Sequence, residues 1–581
     1  MAKNVSEQLL DILVNVGVKH VYGVTGDALN FFVKAIEERE DVDWIGMKHE
    51  GNASYAAFGE SQTSGRLGVC AGTVGPGALH LINGLYNAKK ERTPVIAITG
   101  QVDQRQQGTS FFQEVDLKKV FDDICDYQAI IKTPEQAPMI IQRAIKIALA
   151  NNSVCRIELP ANVAEMKAEN QQFIHPIKKY SSRLVPREET VIEAASLLNK
   201  AKTVGILAGD GCRESRDAVL ELSKKLKAPI THSLRASDIF DHDTENVVGL
   251  SGLIGNPSGY NAVMKCDLLL MLGTDFPYID FLPHDTETIQ VDIRQENIGN
   301  RTAVDLGVWS DISSFLEMLL PKVHEKDDSD FNEKLKQSFN DWRNNMKDQA
   351  SPERDNEPLH PQIFAGFVNE HASNDAIFTV ETGTSAIWAA HHISFHSQRR
   401  VIGSFNHGSM AVGLPAAIGA QFANPNREVW CLSGDGAFNM AMQDFITAVK
   451  YNLPVKVLIF NNSELSFVKL EMEQVGLAPS LDALHQSNVN FAEYARLSGG
   501  DGVRVEHAKD IEAAIIQAKN SKKAFIIDAV VSSGALSLPP HIGLKEAVGF
   551  GTSKLKEVGQ VISGDKSQWE NLKKELQSYF D

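Results

Sequence analysis

An aspartate between two glycines, Gly434-Asp435-Gly436, follows directly on the apolar run Val429 to Ser433 (VWCLS), and a helical pattern begins near Phe438. This order puts a carboxylate at the carboxyl end of a strand and beside a helix N-terminus, where free N–H groups attract phosphate. A carboxylate alone would repel that phosphate; a hard cation between the two removes the conflict. The next apolar run, Val455 to Asn462 (VKVLIFNN), ends one strand–helix–strand unit later, so adjacent parallel strands can bring Asn462 beside Asp435. Oxygen ligands, an anion and positions open to water or diphosphate suit Mg²⁺. Taken alone, a GDG tripeptide is more often a plain tight turn.

The elements that would position these residues are legible along the chain. Short apolar runs bounded by turn residues recur: Pro94 to Thr99, Val204 to Ala208, Asp267 to Thr274, and Phe525 to Val531, besides the two above. Continuous rather than alternating apolar runs indicate strands buried on both faces, the pattern of a parallel α/β sheet. Two polar connectors, Lys167 to Thr190 and His324 to Pro361, cut the 581 residues into three parts. The expected domains are 1–175, 188–325 and 360–532, followed by a tail, 533–581. No internal repeat is visible, although two α/β domains can share a fold without sharing sequence.

A formal charge of −17 argues against a protein that covers nucleic acid, because phosphate backbones call for clustered Lys and Arg. Six scattered cysteines without a C-x-x-C pair read as reduced thiols of a cytoplasmic protein. The first residues lack the apolar core of a signal peptide, and no stretch approaches a membrane span.

The paired motif, GDGA and then NN at 461–462, resembles that of the thiamine diphosphate enzymes, in the branch holding pyruvate oxidases, acetolactate synthase and pyruvate decarboxylase. The resemblance implies three doubly wound parallel-sheet domains: N-terminal pyrimidine-binding, central FAD-binding and C-terminal diphosphate-binding. It assigns Mg²⁺ to Asp435, Asn462 and the carbonyl of Glu464, and the diphosphate to the same motif with Gly436 and Ala437. Thiamine chemistry also needs a carboxyl group in an apolar site, where burial raises a carboxylate's pKa, to drive the aminopyrimidine into its imino form. Glu50, between VDWIGMKH and the small-residue stretch GNASYAAFGE, matches that glutamate. Met410 in GSFNHGSMAVGLPAAIGAQ matches the wedge that folds the cofactor, with Gly408 and Ser409 beside it and His407 a polar neighbour. Gly75-Pro76-Gly77 and Phe111 to Glu114 match first-domain segments, Phe112 and Gln113 lying near substrate.

The resemblance is nearest to the quinone-reducing pyruvate oxidases, a group also called pyruvate dehydrogenase (quinone). It rests on GVTGDALN at 23–30, SGLIG at 251–255, GTDFPY at 273–278, GSFNHGSMA at 403–411 and NNSELSFVKLE at 461–471. The central part has no G-x-G-x-x-G, only Gly209-Asp210-Gly211, so the residues alone yield no flavin site. By resemblance, FAD lies along Ser251, Gly252, Leu253 and Ile254, along Thr274, Asp275, Phe276, Pro277 and Tyr278, and at Asp292. Phe467 would stand between thiamine and flavin, and Glu471 would be a further active-site acid. The implied activity is oxidative decarboxylation of pyruvate to acetate and CO₂, with electrons passing through FAD to a membrane quinone. Two alternatives stay open: an oxidase using O₂ and phosphate to make acetyl phosphate, and an acetolactate synthase. The resemblance also implies an obligatory dimer whose site joins Glu50 of one subunit to Asp435 of the other, and a homotetramer. In the tail, Trp569, Leu572, Leu576 and Tyr579 or Phe580 recur at helical spacing, which fits either a docked helix or a peripheral anchor at the inner face of the membrane. Basic and acidic residues balance there, so no polybasic pull toward lipid is expected.

Overall fold

The protein is seen in a computed structural model that describes residues 3–535, apart from 171, 173, 178–181, 241, 354–357, 396–397 and 478–480. The stripe from Trp569 to Phe580 lies outside the described residues. Three six-stranded sheets follow one another along the chain, and all their recorded pairings are parallel. The first holds β1 (His20–Gly23), β2 (Asp43–Gly46), β3 (Gly68–Gly72), β4 (Val95–Gln101), β5 (Tyr127–Ile130) and β6 (Val154–Pro160), in the order β2-β1-β3-β4-β6-β5. The second holds β7 (Val204–Ala208), β8 (Ile230–His232), β9 (Val247–Leu250), β10 (Leu268–Leu272), β11 (Glu287–Asp292) and β12 (Leu306–Trp309), in the order β12-β11-β10-β7-β8-β9. The third holds β13 (Ile377–Val380), β14 (Arg400–Gly403), β15 (Val429–Gly434), β16 (Lys456–Asn461), β17 (Asp501–Val505) and β18 (Phe525–Val530), in the order β14-β13-β15-β16-β18-β17.

Helices cover the sheets, as the uninterrupted apolar strands require: Leu268 to Leu272 and Val457 to Ile459 are buried at every position. The expected fold class is therefore the one observed. The first and third sheets share one strand order, a repeat that no residue pattern displays. Counted from its own first strand, the central sheet reads 3-2-1-4-5-6, the order of dinucleotide-binding folds. Its topological switch point lies between β7 and β10, and a glycine follows each strand there, Gly209 and Gly273.

The first and third domains share one hydrophobic cluster, with Tyr22 and Phe58 packed in common with Leu414, Ile418 and Phe438. Its centre is the crossing of helix Glu50–Ser64 with helix Gly413–Ala423. Both are rich in Ala and Gly because their backbones touch: a Cβ on Gly59 would stand 2.3 Å from the Ala416 carbonyl oxygen, and one on Gly419 would stand 1.9 Å from that of Ala56. Backbone cannot yield as a flexible side chain does. Gly419→Val is accordingly expected to destabilise the protein by about 3 kcal/mol or more, read as a lowered midpoint in thermal unfolding. Among the described residues no helix is long and apolar enough to cross a membrane.

Candidate active site

Strands β15 and β16 pair in parallel, Gly434 opposite Phe460, so Asp435 and Asn462 emerge at one end of the sheet. The helix after β15 begins at Asp435 itself, not near Phe438, because the two glycines sit in its first turn. Asp435 Oδ1 accepts the Gly436 N–H at 2.7 Å and Oδ2 accepts the Ser463 N–H at 2.6 Å. Ser463 reaches this position by adopting φ +56, a left-handed conformation that costs about 1–3 kcal/mol for a residue with a side chain. Asn462 Oδ1 accepts the Glu464 N–H at 3.1 Å, while its Nδ2 donates to Ser466 Oγ at 2.7 Å. The Glu464 carboxylate turns away to Lys469, at 3.1 Å, which leaves its backbone as the part near the pair. Burial pushes Asp435 up to about 6 in spite of the N–H donors. Each of its oxygens keeps a lone pair, so the group is one that a cation would stabilise.

Segment 404–413 forms the facing wall. A Cβ on Gly436 would stand 3.7 Å from Met410 Cε and 2.5 Å from Leu465 Cδ2, so Met410 leans over the start of the Asp435 helix. Two buried carboxylates hold the segment. Glu91 accepts the Asn406 N–H, and Glu381 Oε1 accepts the Gly413 N–H at 2.6 Å. Burial raises both acids, Glu381 to about 7. Thr382 donates to the Ser409 carbonyl at 2.8 Å, and Ser404 Oγ accepts the Ser409 N–H at 2.8 Å. From the first domain, Tyr55 meets Ser409 Oγ at 2.6 Å, and Asn83 donates to both. His407 Nε2 lies 3.0 Å from Asn83 Oδ1, a structural place beside the segment.

Glu50 belongs to a separate cluster. It is the first residue of its helix, 8% exposed, with Oε2 2.9 Å from His80 Nδ1. A Cβ on Gly77 would lie 3.0 Å from Glu50 Oε1, and one on Gly75 2.4 Å from the Gln113 carbonyl oxygen. Glu50, His80, Gln113 and the adjoining Phe112, which is 77% exposed, thus share one face of the first domain. Ligand atoms of His49, Glu50 and His80 all lie within 4.8 Å of one another. In that cluster His49 and His80 stack at 4.4 Å, and His49 Nδ1 accepts the Gly51 N–H.

A cavity of about 780 Å³ opens at the central sheet's switch point and runs to the third domain. Ser251, Leu253, Ile254, Thr274, Asp275, Phe276, Pro277, Tyr278 and Asp292 all line it; Gly252, at φ +111, instead packs against Phe276 and Tyr278. Gly211, Arg92, Arg213, Arg235 and Arg294 line the same space, and the Ser251 hydroxyl is buried without a hydrogen-bond partner. At the far end stand Glu381, Thr382, Gly383, Gly408, Phe467 and Glu471. Of the described first-domain residues, only Arg92 and Asn152 reach this lining; Glu50, Phe112 and Gln113 do not.

Three family models match the chain: the N-terminal TPP binding domain of thiamine pyrophosphate enzymes over residues 3–120, their central domain over 191–319 and their C-terminal TPP binding domain over 381–529. A putative thiamine pyrophosphate-containing protein of Bacillus subtilis is 33% identical over 580 residues, the whole of both chains. The chain belongs to the thiamine pyrophosphate enzyme family. A pyruvate oxidase of Lactiplantibacillus plantarum is 28% identical, covering 90% of this chain and 88% of its own. A probable acetolactate synthase large subunit of Methanocaldococcus jannaschii is 29% identical over 93% of this chain and 94% of its own.

The third-domain residues fit the thiamine diphosphate that this family binds. Gly383, Gly408 and Gly434 each leave open space where a Cβ would be, room that a side chain would close beside Asp435 and the N-terminus of helix Thr384–His392. Phosphate oxygens there would meet N–H groups of the helix's first turn, and the Asp435 and Asn462 oxygens would supply the hard donors Mg²⁺ prefers. Sequence reasoning missed Glu381, Thr382 and Gly383. The signal was present: VETGT carries a carboxylate and a glycine at the end of β13, the same arrangement that singled out Asp435.

Proposed function

We propose that this thiamine pyrophosphate enzyme is a flavin-dependent oxidase that decarboxylates pyruvate to acetate and CO₂ and delivers the electrons to a quinone. One observation carries the reading: a single cavity joins Ser251, Leu253, Ile254, the 274–278 segment and Asp292 to Phe467, Glu471 and Gly408 of the diphosphate domain. The buried, partnerless Ser251 hydroxyl suits a polar ligand, and the 3-2-1-4-5-6 sheet is the order that binds a dinucleotide. The bound groups supply a nucleophilic carbon with an electron sink for decarboxylation and, in the flavin, a two-electron acceptor. Asp435, Asn462 and the Glu464 carbonyl would hold the metal, Met410 would bear on the thiamine cofactor, and Phe467 would fill the space toward the flavin and exclude water. Glu50, in a cluster of its own with His80 on the first domain, would hold the aminopyrimidine proton from a second copy of the chain, the arrangement that the resemblance implies. The site is therefore complete only in a dimer.

Mixing the purified holoprotein anaerobically with pyruvate tests this directly. Loss of the flavin's absorbance near its yellow maximum, restored by a soluble quinone with acetate as product, is the expected result. The acetolactate synthase reading has support in the relative of that name and predicts acetolactate with the flavin still oxidised. Protein that carries no flavin, or colour unchanged by pyruvate, would defeat the oxidase reading; acetyl phosphate and peroxide in air with phosphate would move the acceptor to O₂.

A further inference from the structure

Between Gly408, at φ +68, and the helix that starts at Gly413, the chain passes through Ala411 at φ +74. A residue with a Cβ stays in that region only where its surroundings over-determine it. Here the surroundings converge on one side chain. Glu381 Oε1 accepts the Gly413 N–H at 2.6 Å, and the N–H groups of Ala411 and Val412 also favour its carboxylate. The approach is so close that a Cβ on Gly413 would stand 2.9 Å from Glu381 Cγ. Glu381 leaves the end of β13, a strand paired on both sides, and is 1% exposed, while Met410 is the residue immediately before the strained position.

We propose that Glu381 is a positioning residue: it holds the 411–413 turn in its left-handed path and thereby sets where Met410 presses on the thiamine cofactor. The inference rests on the reading of Met410 given above. Glu381 acts through Met410, so its contribution to turnover disappears when the wedge is gone. A carboxylate that merely stabilised the fold would not behave in that way.

A double-mutant cycle in the holoenzyme separates the two. Glu381→Ala is expected to lower kcat about 10²-fold, the scale of a misplacement by about 1 Å, with the KM for the 2-oxo acid changed less than about threefold. Glu381→Gln, which keeps an acceptor oxygen and the shape, is expected to fall in between. In a Met410→Ala background the same substitutions are expected to cost little more. Hydrogen exchange should show the 411–413 amides losing protection in Glu381→Ala while those of 436–441 keep theirs. Unchanged kcat in Glu381→Ala, or losses that multiply in the double variant, overturn the proposal. If Glu381→Ala does not fold, Glu381→Gln takes its place in the cycle, and unchanged kcat or multiplying losses overturn the proposal there too. A wild-type protein without thiamine diphosphate-dependent turnover would instead remove the functional reading, and the exchange measurement alone would then decide whether Glu381 holds the turn.

Discussion

Asp435→Ala is expected to weaken thiamine diphosphate binding in the presence of Mg²⁺ by about 10²- to 10⁴-fold, because removing one partner of a buried charged contact costs about 3–5 kcal/mol. Asp435 is 2% exposed, and its two oxygens face the start of a helix and the Ser463 turn. In the variant the metal loses its one anionic side-chain ligand and the diphosphate keeps its charge. Asn462→Ala removes a neutral oxygen and leaves that charge balance intact, so it is expected to cost only about tenfold, near the net worth of a hydrogen bond to a charged group. Titration calorimetry of the apoprotein with the cofactor, with and without Mg²⁺, checks both values. Chelation of the wild-type metal should reproduce the Asp435→Ala affinity and be reversed by added Mg²⁺. Equal losses in the two variants, or a cofactor that binds Asp435→Ala as tightly as wild type, would remove Asp435 from the metal site.

The parts of this site that could be read from the sequence are those where one short stretch carries both the strand and the chemistry. VWCLSGDG and VKVLIFNN each deliver a ligand at the end of a continuous apolar run, and β15 and β16 do pair to bring the two together. The helix starts at Asp435 rather than near Phe438, because glycines in a first turn hide helical periodicity. Other features lie between elements far apart in the chain. The cavity joins turns after β7, β10 and β11 to residues after β13 and β16, so no contiguous motif announces it, and only resemblance points to 251–254 and 274–278. Glu381 stands where its neighbours are about thirty residues away, at 411–413, and nothing local shows that a carboxylate is needed there. The shared strand order of the first and third sheets is equally invisible, since topology is set by which strands pair and not by which residues they contain.

Glu50→Gln should bind the cofactor about as tightly as wild type and lose about 10²- to 10⁴-fold in kcat, the range attributable to one positioned acid–base group. The amide keeps the shape and can still accept from His80, but it cannot supply or take the proton. The more decisive result comes from combining this variant with Asp435→Ala, each nearly inactive alone. If Glu50 serves the third domain of a second copy, a mixed dimer pairs an intact Glu50 with an intact Asp435 in one of its two sites. Random mixing makes about half of the dimers hybrid, so about a quarter of wild-type activity should return. If Glu50 serves its own chain, both sites of every hybrid carry one lesion, and activity stays at the level of the separate variants. Complementation therefore tests whether the first-domain cluster of Glu50, His80 and Gln113 works with Asp435 and Met410 of a second copy. Absence of recovery in hybrids shown to have formed would place both halves of the chemistry within one chain, against the two separate clusters from which the dimeric site was inferred.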